Sequence, residues 1–315
     1  MNELALARTA LAAVCVFWGT TYLAIAVAVH ELPPALFCSV RFMLAGAAML
    51  FLALAREERL PRGKEWFNLA VVSFLLLVIG NGMLAWAVQW VPTGTAAIII
   101  VTTPLWMAVF ARLSGESVQP QAILGLVSGF LGLIVILWPK MKGAEPGSGF
   151  IPGACGLLLS SLVWAAGSAY SKHRPVRTSP LMTAAIQMCL GSLFFAAGGL
   201  LLGETGRWNP SPVSWLAIGY LALFGSIIGY GSYLYALSKL PTAQVAIYAY
   251  VNPIVAIFLG IWFLGERFEP AMLLGGPMVL LGVFLVNVPA AVGAAPESAL
   301  PLRLRLLRRL RRSSR

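Results

Sequence analysis

The side chains that could bind or react within this chain are mostly aromatic or uncharged and polar. Trp18, Tyr22, Trp106, Trp164, Tyr230 and Tyr248 lie inside long apolar runs, with Asn81 and Asn252 among them. Trp18 and Tyr22 are four residues apart, so a helix puts them on one face. Trp and Tyr commonly mark a bilayer interface, and Trp90, Trp138 and Trp215, at run ends, take that reading. An indole in mid-run wants a partner for its N–H, which favours a cavity wall for Trp18, Trp106 and Trp164. Such rings offer flat apolar or cation–π surfaces to a small molecule. That is the chemistry of binding. Bond-making chemistry needs a general base, an activated nucleophile or a metal cluster. The chain has no Asp, its 11 acids are all Glu in loops or at run ends, and His30 and His173 sit between runs. Cys15, Cys38, Cys155 and Cys189 lie singly with no CxxC, so neither a disulfide frame nor a zinc site is expected. No catalytic residue, metal or cofactor is predicted, and a membrane-embedded lipid-modifying enzyme is the poorest reading.

One cation breaks the pattern. Arg41 is the one ionisable residue well inside a run, eight residues past Pro33. An intramembrane Arg is costly to place and points to function. It could hold a substrate carboxylate, or it could snorkel or cap carbonyls at a cavity mouth. The lack of an intramembrane acid to pair with it favours the structural role.

The elements that position these groups are organised around a duplicated motif. Val91–Glu116 and Leu240–Glu266 both open on Pro-Thr, carry a second Pro twelve residues on and close on Gly-Glu. Pro92, Pro104 and Gly115-Glu116 map onto Pro241, Pro253 and Gly265-Glu266 at a shift of 149 to 150 residues. The opening Pro suits a first helical turn. Pro104 and Pro253 fall mid-helix, where each frees the carbonyl four residues back, Ile100 and Ala249. Thr103 and Asn252, each directly before its Pro, are placed to meet those carbonyls. Broken helices at matching positions of two halves point to a transporter binding site. Glu116 and Glu266 read as helix-end acids that bond loop amides or nearby basic residues.

Of the 315 residues, 59% are hydrophobic and 10% charged, well below the charge of a soluble domain. Ten runs are long enough to span: 7–29, 33–54, 67–90, 92–112, 121–138, 151–171, 181–202, 214–237, 241–263 and 270–289. The net charge of +11 is distributed by topology, which argues against a nucleic-acid partner. With the N-terminus inside, seventeen Lys and Arg fall on the cytoplasmic side, seven of them in the tail. Lys140, Lys142, Arg207 and Arg267 are the four on the other side, so both termini are predicted cytoplasmic. Five spans per half is odd, so the second copy enters from the opposite side. The fold class is an all-α polytopic membrane protein, ten transmembrane helices in two inverted five-helix repeats. The divisions are 7–138 for the first repeat, 139–150 for an extracytoplasmic linker, 151–289 for the second and 290–315 for a basic tail. That tail, rich in Leu and Arg, suits either a helix on anionic lipids or a disordered topology anchor.

WGTTYLAI at 18–25, SVRF at 39–42, the doubled Pro-Thr…Pro…Gly-Glu helices and the ten-span duplication resemble the EamA family of the drug/metabolite transporter superfamily. GNGMLAW at 80–86 and GYLALFGSII at 219–228 look most like its YedA-type branch. The resemblance covers about residues 7–290. It implies two inverted halves, a central cavity and export of small metabolites across the bacterial inner membrane. The expectation is a secondary transporter of small neutral or zwitterionic solutes, such as amino acids or drug-like compounds, working by alternating access as a monomer. Cavity cations are too scarce for phosphorylated sugars. A passive facilitator is the alternative, and the absence of an intramembrane carboxylate predicts weak or no proton coupling.

Overall fold

A computed structural model describes residues 3–113, 120–143, 148–240, 245 and 248–287. Among the described residues there are ten membrane-length or shorter apolar helices and no strand. They are α1 (Glu3–Glu31), α2 (Pro34–Ala55), α3 (Lys64–Ala87), α4 (Thr93–Ile100 and Thr103–Leu113), α5 (Pro120–Gly143), α6 (Phe150–His173), α7 (Pro180–Leu201), α8 (Pro212–Lys239), α9 (Tyr248–Leu264) and α10 (Ala271–Asn287). The first eight are long and apolar enough to cross a bilayer and the last two are shorter. The chain is thus an all-helical polytopic membrane protein. Helix α5 runs to Gly143, beyond the start of the linker expected at 139. Gly115-Glu116, Pro241 and the tail 290–315 lie outside the described residues.

Local sequence explains where helices start. Pro34, Pro180 and Pro212 each occupy a first helical turn, where their missing N–H is no loss. Ser179 and Ser211 cap α7 and α8 by accepting the amides of Met182 and Ser214.

Helices α2 and α5 of the first half pack on their counterparts in the second. Helix α2 lies against α7, and α5 against α10. Both pairs are antiparallel. In the first, Ser39 exchanges hydrogen bonds with Ser192, its Oγ donating to the Ser192 carbonyl (3.0 Å) while Ser192 Oγ donates to that of Ser39 (2.8 Å). Further along the same pair, Gly46 meets Cys189. In the second, Gly132 faces Gly275 and Gly282 faces Gly125. Equivalent helices that run antiparallel mean that one half is inverted relative to the other. A Cβ on Gly132 would stand 2.6 Å from the Gly275 carbonyl oxygen, so these backbones touch. In lipid, where apolar side chains gain little by meeting one another, such close approach supplies the association. The pairing of α1 with α8 and α9 is matched by that of α6 with α3 and α4.

Two features depart from simple helices. Helices α3 and α8 widen into π-helical turns over Phe74–Asn81 and Leu221–Tyr230, at corresponding places in the two halves. Among the described residues only α4 is broken: its two pieces meet at Val101–Thr102, just before Pro104. In α9 the described helix runs unbroken from Tyr248 with Pro253 inside it, so the expected second break is not seen over those residues.

Candidate functional site

The two π-helical turns and the α4 break converge at mid-bundle. There they border a cavity of about 710 Å³ of empty space, counting its open mouth. Its wall draws on α1, α2, α3, α4, α6, α8 and α9, so both halves build it. On α1 the lining residues climb from Trp18 through Thr21 and Tyr22 to Ile25, away from the N-terminal end. On α3 they run from Leu77 to Leu84, in the half towards the α3–α4 turn. The cavity therefore extends from the middle towards the face that carries the α1–α2 and α3–α4 turns, hereafter the far face.

Towards the near face it is floored by an aromatic cluster. The Trp18 ring meets Tyr233 at 5.1 Å, Tyr248 at 5.2 Å and Trp164 at 5.9 Å between centroids. Trp164 also approaches Tyr233 at 6.1 Å and Tyr230 at 6.5 Å. Edge-on and tilted pairs at these separations add modest stabilisation beyond area burial. Tyr233 is buried and sits six residues before the near-face end of α8, beneath the other rings.

Hydrogen bonds fix most of these side chains. Trp18 Nε1 donates to the Gly225 carbonyl (3.2 Å) and Tyr230 donates to Gln187 Oε1 (2.6 Å). The Trp164 indole N–H is sealed without an acceptor, although the Tyr233 hydroxyl is beside it. Asn81 Nδ2 donates to the Leu76 carbonyl (3.3 Å), five residues back, a partner that the π-helical turn brings within reach. Oriented to suit its surroundings, the Asn252 amide nitrogen donates to the carbonyls of Cys15 (3.3 Å) and Tyr248 (3.2 Å), tying α9 to α1.

The carbonyl that Pro104 frees is satisfied as expected, since Thr103 Oγ1 donates to Ile100 at 2.7 Å. Asn252 reaches Tyr248 rather than the expected Ala249. Pro104 and Pro253 are both buried and neither lines the cavity.

The structure brings Trp18, Tyr22, Arg41, Asn81, Trp164, Tyr230, Tyr248 and Asn252 to one cavity. It does not bring Trp106 there. The Trp106 indole donates to Ser161 Oγ (3.0 Å) and packs on Phe130 of α5 (5.0 Å), because the α4 break turns the helix after Thr102. Sequence reasoning missed Thr103, Ser160, Ser161, Gly225 and Ser226 as wall residues. Gly225 and Gly229 stand four residues apart, a spacing that commonly serves close helix packing in lipid. Both instead make room for side chains of the site: a Cβ on Gly229 would lie 2.5 Å from Trp18 Nε1.

Among the described residues, no titratable group lines the cavity apart from Arg41 and the phenols. Among the described residues no three His, Cys, Asp or Glu side chains gather as a metal site would require. The acids sit at the bundle faces. Glu31 accepts from Ser211 and Ser214, Glu204 from the Leu36 amide (2.9 Å) and Glu266 from the Thr93 amide (2.7 Å) on the far face. On the near face Glu58 accepts from Ser179, and Glu65 pairs with Arg59 (2.9 Å).

Comparison with known proteins agrees with this architecture. A solved crystal structure at 20% identity has the same fold, with a TM-score of 0.66 over 89% of this chain and 95% of that one. The inner membrane transporter YedA of Escherichia coli is 35% identical over 280 residues, 89% of this chain and 90% of YedA. The transporter YvbV of Bacillus subtilis is 26% identical over 95% of this chain and its own whole length. The model of the EamA-like transporter family matches twice, at residues 6–138 and 151–288. The chain belongs to the EamA-like transporter family.

Proposed function

We propose that the protein is a secondary transporter that moves small organic solutes through the central cavity by alternating access. The observation that carries this reading is the cavity itself: two inverted halves build it, aromatic and uncharged polar groups line it, and a ring cluster floors it on one side. In this conformation the ring cluster fills the near side, and on this reading the far face, towards which the cavity extends, is the open one. Rocking of one half against the other would part the Trp18–Tyr233–Tyr248 cluster and close the far-face mouth. The Lys and Arg distribution supports cytoplasmic termini, which makes this the outward-facing state of an exporter in a bacterial inner membrane. The repeats 7–138 and 151–289 would be the moving halves, with 139–150 joining them outside and the basic tail 290–315 resting on anionic lipid. The chain would work as a monomer, because both halves of the site come from one copy.

The test has two steps. Growth of overexpressing cells on toxic amino acids and drug-like analogues identifies a transported solute. Flux of that solute is then followed in proteoliposomes with and without unlabelled solute on the opposite side. Alternating access predicts saturable flux accelerated by the opposite-side solute. Linear, unaccelerated flux would instead make the protein a passive facilitator.

A further inference from the structure

Arg41 is 4% exposed, and its guanidinium forms part of the cavity wall. Its Nε donates to Ser226 Oγ at 3.0 Å, and its Cζ lies 4.8 Å from the Phe42 ring centroid. No other hydrogen bond or ion pair holds it among the described residues, so Nη1 and Nη2 keep their N–H donors free. Neither nitrogen is sealed in protein, since the sealed unpartnered side-chain atoms are Thr95 Oγ1 and Trp164 Nε1. Gly225 keeps space beside the fork: a Cβ there would stand 3.0 Å from Nη2. Glu204, the acid buried at the far face, is engaged by the Leu36 amide (2.9 Å) and lies 3.9 Å from Arg207. Among the described residues no carboxylate lines the cavity.

A largely buried guanidinium that faces no anion is costly. Capping of carbonyls, one of the structural roles that the sequence offered, is not what this side chain does, since its one hydrogen bond among the described residues goes to Ser226 Oγ. Its fork is aimed by Ser226 and left open to the cavity. We propose that the cavity is a monocarboxylate site. Arg41 Nη1 and Nη2 receive the single carboxylate of a small solute, and its apolar or aromatic body rests on the rings of Trp18 and Trp164. A planar fork matches a carboxylate with two parallel hydrogen bonds. With one cation and no acid in the wall, a second carboxylate or an ammonium group would enter without a counter-charge. The inference rests on the transport reading of this cavity and narrows its solute to one chemical class.

The test is equilibrium binding to the purified full-length protein in chloride-free sulfate buffer. The probes are benzoate, phenylacetate and indole-3-acetate, each beside its own amide, with L-phenylalanine and chloride as further arms. At least one aromatic carboxylate should bind about tenfold or more tightly than its amide, as expected for hydrogen bonds to a charged group. Arg41→Gln should erase that difference, and Gly225→Ala, which crowds Nη2 without changing charge, should reduce it. Should Arg41→Gln fail to fold, the carboxylate-to-amide ratio of the native protein and of Gly225→Ala decides. Equal binding of acid and amide, or no binding by any carboxylate, would overturn the proposal. So would L-phenylalanine binding as tightly as phenylacetate, or chloride saturating a site from which no carboxylate displaces it. The two readings can fail separately. Vesicle flux of uncharged solutes that Arg41→Gln leaves intact keeps the transporter and removes the carboxylate site. Arg41-dependent binding without flux of any solute does the reverse.

Discussion

Glu266 reaches across the molecule to Thr93, accepting its backbone amide at 2.7 Å and its hydroxyl at 3.0 Å. The acid that closes one copy of the duplicated helix thereby caps the start of the other copy. A carboxylate at the first turn of α4 satisfies an orphan N–H and lies at the positive end of the helix. Glu266→Ala should therefore lower stability by about 1–2 kcal/mol, the scale of a lost N-cap. Glu266→Gln should keep part of that. Gly260→Ala should act in the same direction as Glu266→Ala, because its Cβ would stand 2.5 Å from Glu266 Oε2. Thermal unfolding of the three variants in detergent checks the order. Native-like melting of Glu266→Ala would show that the contact contributes nothing.

Trp106 and Trp164 look alike in the sequence, each in mid-run and each an indole seeking a partner, and the structure separates them. Trp106 has its acceptor, Ser161 Oγ at 3.0 Å, and lies behind that wall residue rather than lining the cavity itself. Trp106→Phe should cost about 1 kcal/mol for the lost hydrogen bond and leave transport unchanged. Trp164 lines the cavity with an N–H that bonds nothing. Trp164→Phe should change stability by less than about 1 kcal/mol, because no bond is lost. Trp164→Ala should abolish transport by opening the aromatic floor. Unfolding temperature and vesicle flux, measured on all three, separate the roles.

Gly229 carries a steric prediction. An added methyl would sit 2.5 Å from Trp18 Nε1, on a ring already held by the Gly225 carbonyl. Gly229→Ala should displace that ring, at a cost of about 1–3 kcal/mol for overpacking, and depress transport with it. Gly198, whose Cβ would meet nothing within 4 Å, serves as the comparison, and Gly198→Ala should be neutral in both assays. If both variants transport alike, the Trp18 position does not matter to passage.

What could be read from residue order alone divides along a physical line. Spans, duplication and inversion follow from hydropathy and an odd helix count, which are summed properties and tolerate local error. The Thr103–Ile100 bond was foreseeable because it obeys covalent geometry, with Pro104 freeing one named carbonyl. The π-helical turns at Phe74–Asn81 and Leu221–Tyr230 were not foreseeable, since no residue type demands them and tertiary packing selects them. They are what bring Gly225, Ser226 and Asn81 to the cavity. Trp106 was misplaced for a related reason. Its direction depends on how far α4 turns at Val101–Thr102, and a proline kink has no fixed angle. Arg41 was visible as an anomaly, but only Ser226 and Gly225 disclose which way its fork points.

Energy coupling follows from what the cavity wall contains. Proton-driven carriers commonly use an intramembrane carboxylate that takes up and releases H⁺ during the cycle. Here the wall holds Arg41, phenols, indoles, amides and hydroxyls, with no Asp, Glu, His or Lys among the described residues. None of these groups changes charge near neutral pH. A pH gradient imposed on proteoliposomes, with the membrane potential clamped, should therefore leave the initial rate of flux unchanged. Equal pH on both sides, varied between 6 and 8, should also give a flat rate. A carboxylate solute preserves that outcome, because a carboxyl group with a pKa of about 4 is ionised throughout this range. Its transport would fall only at lower pH, as protonation removes the charge that Arg41 holds. A steep rise of flux with an imposed proton gradient would require a titrating group that the cavity wall lacks. The coupling site would then have to lie elsewhere, with the face acids Glu31, Glu204 and Glu266 as the next residues to replace.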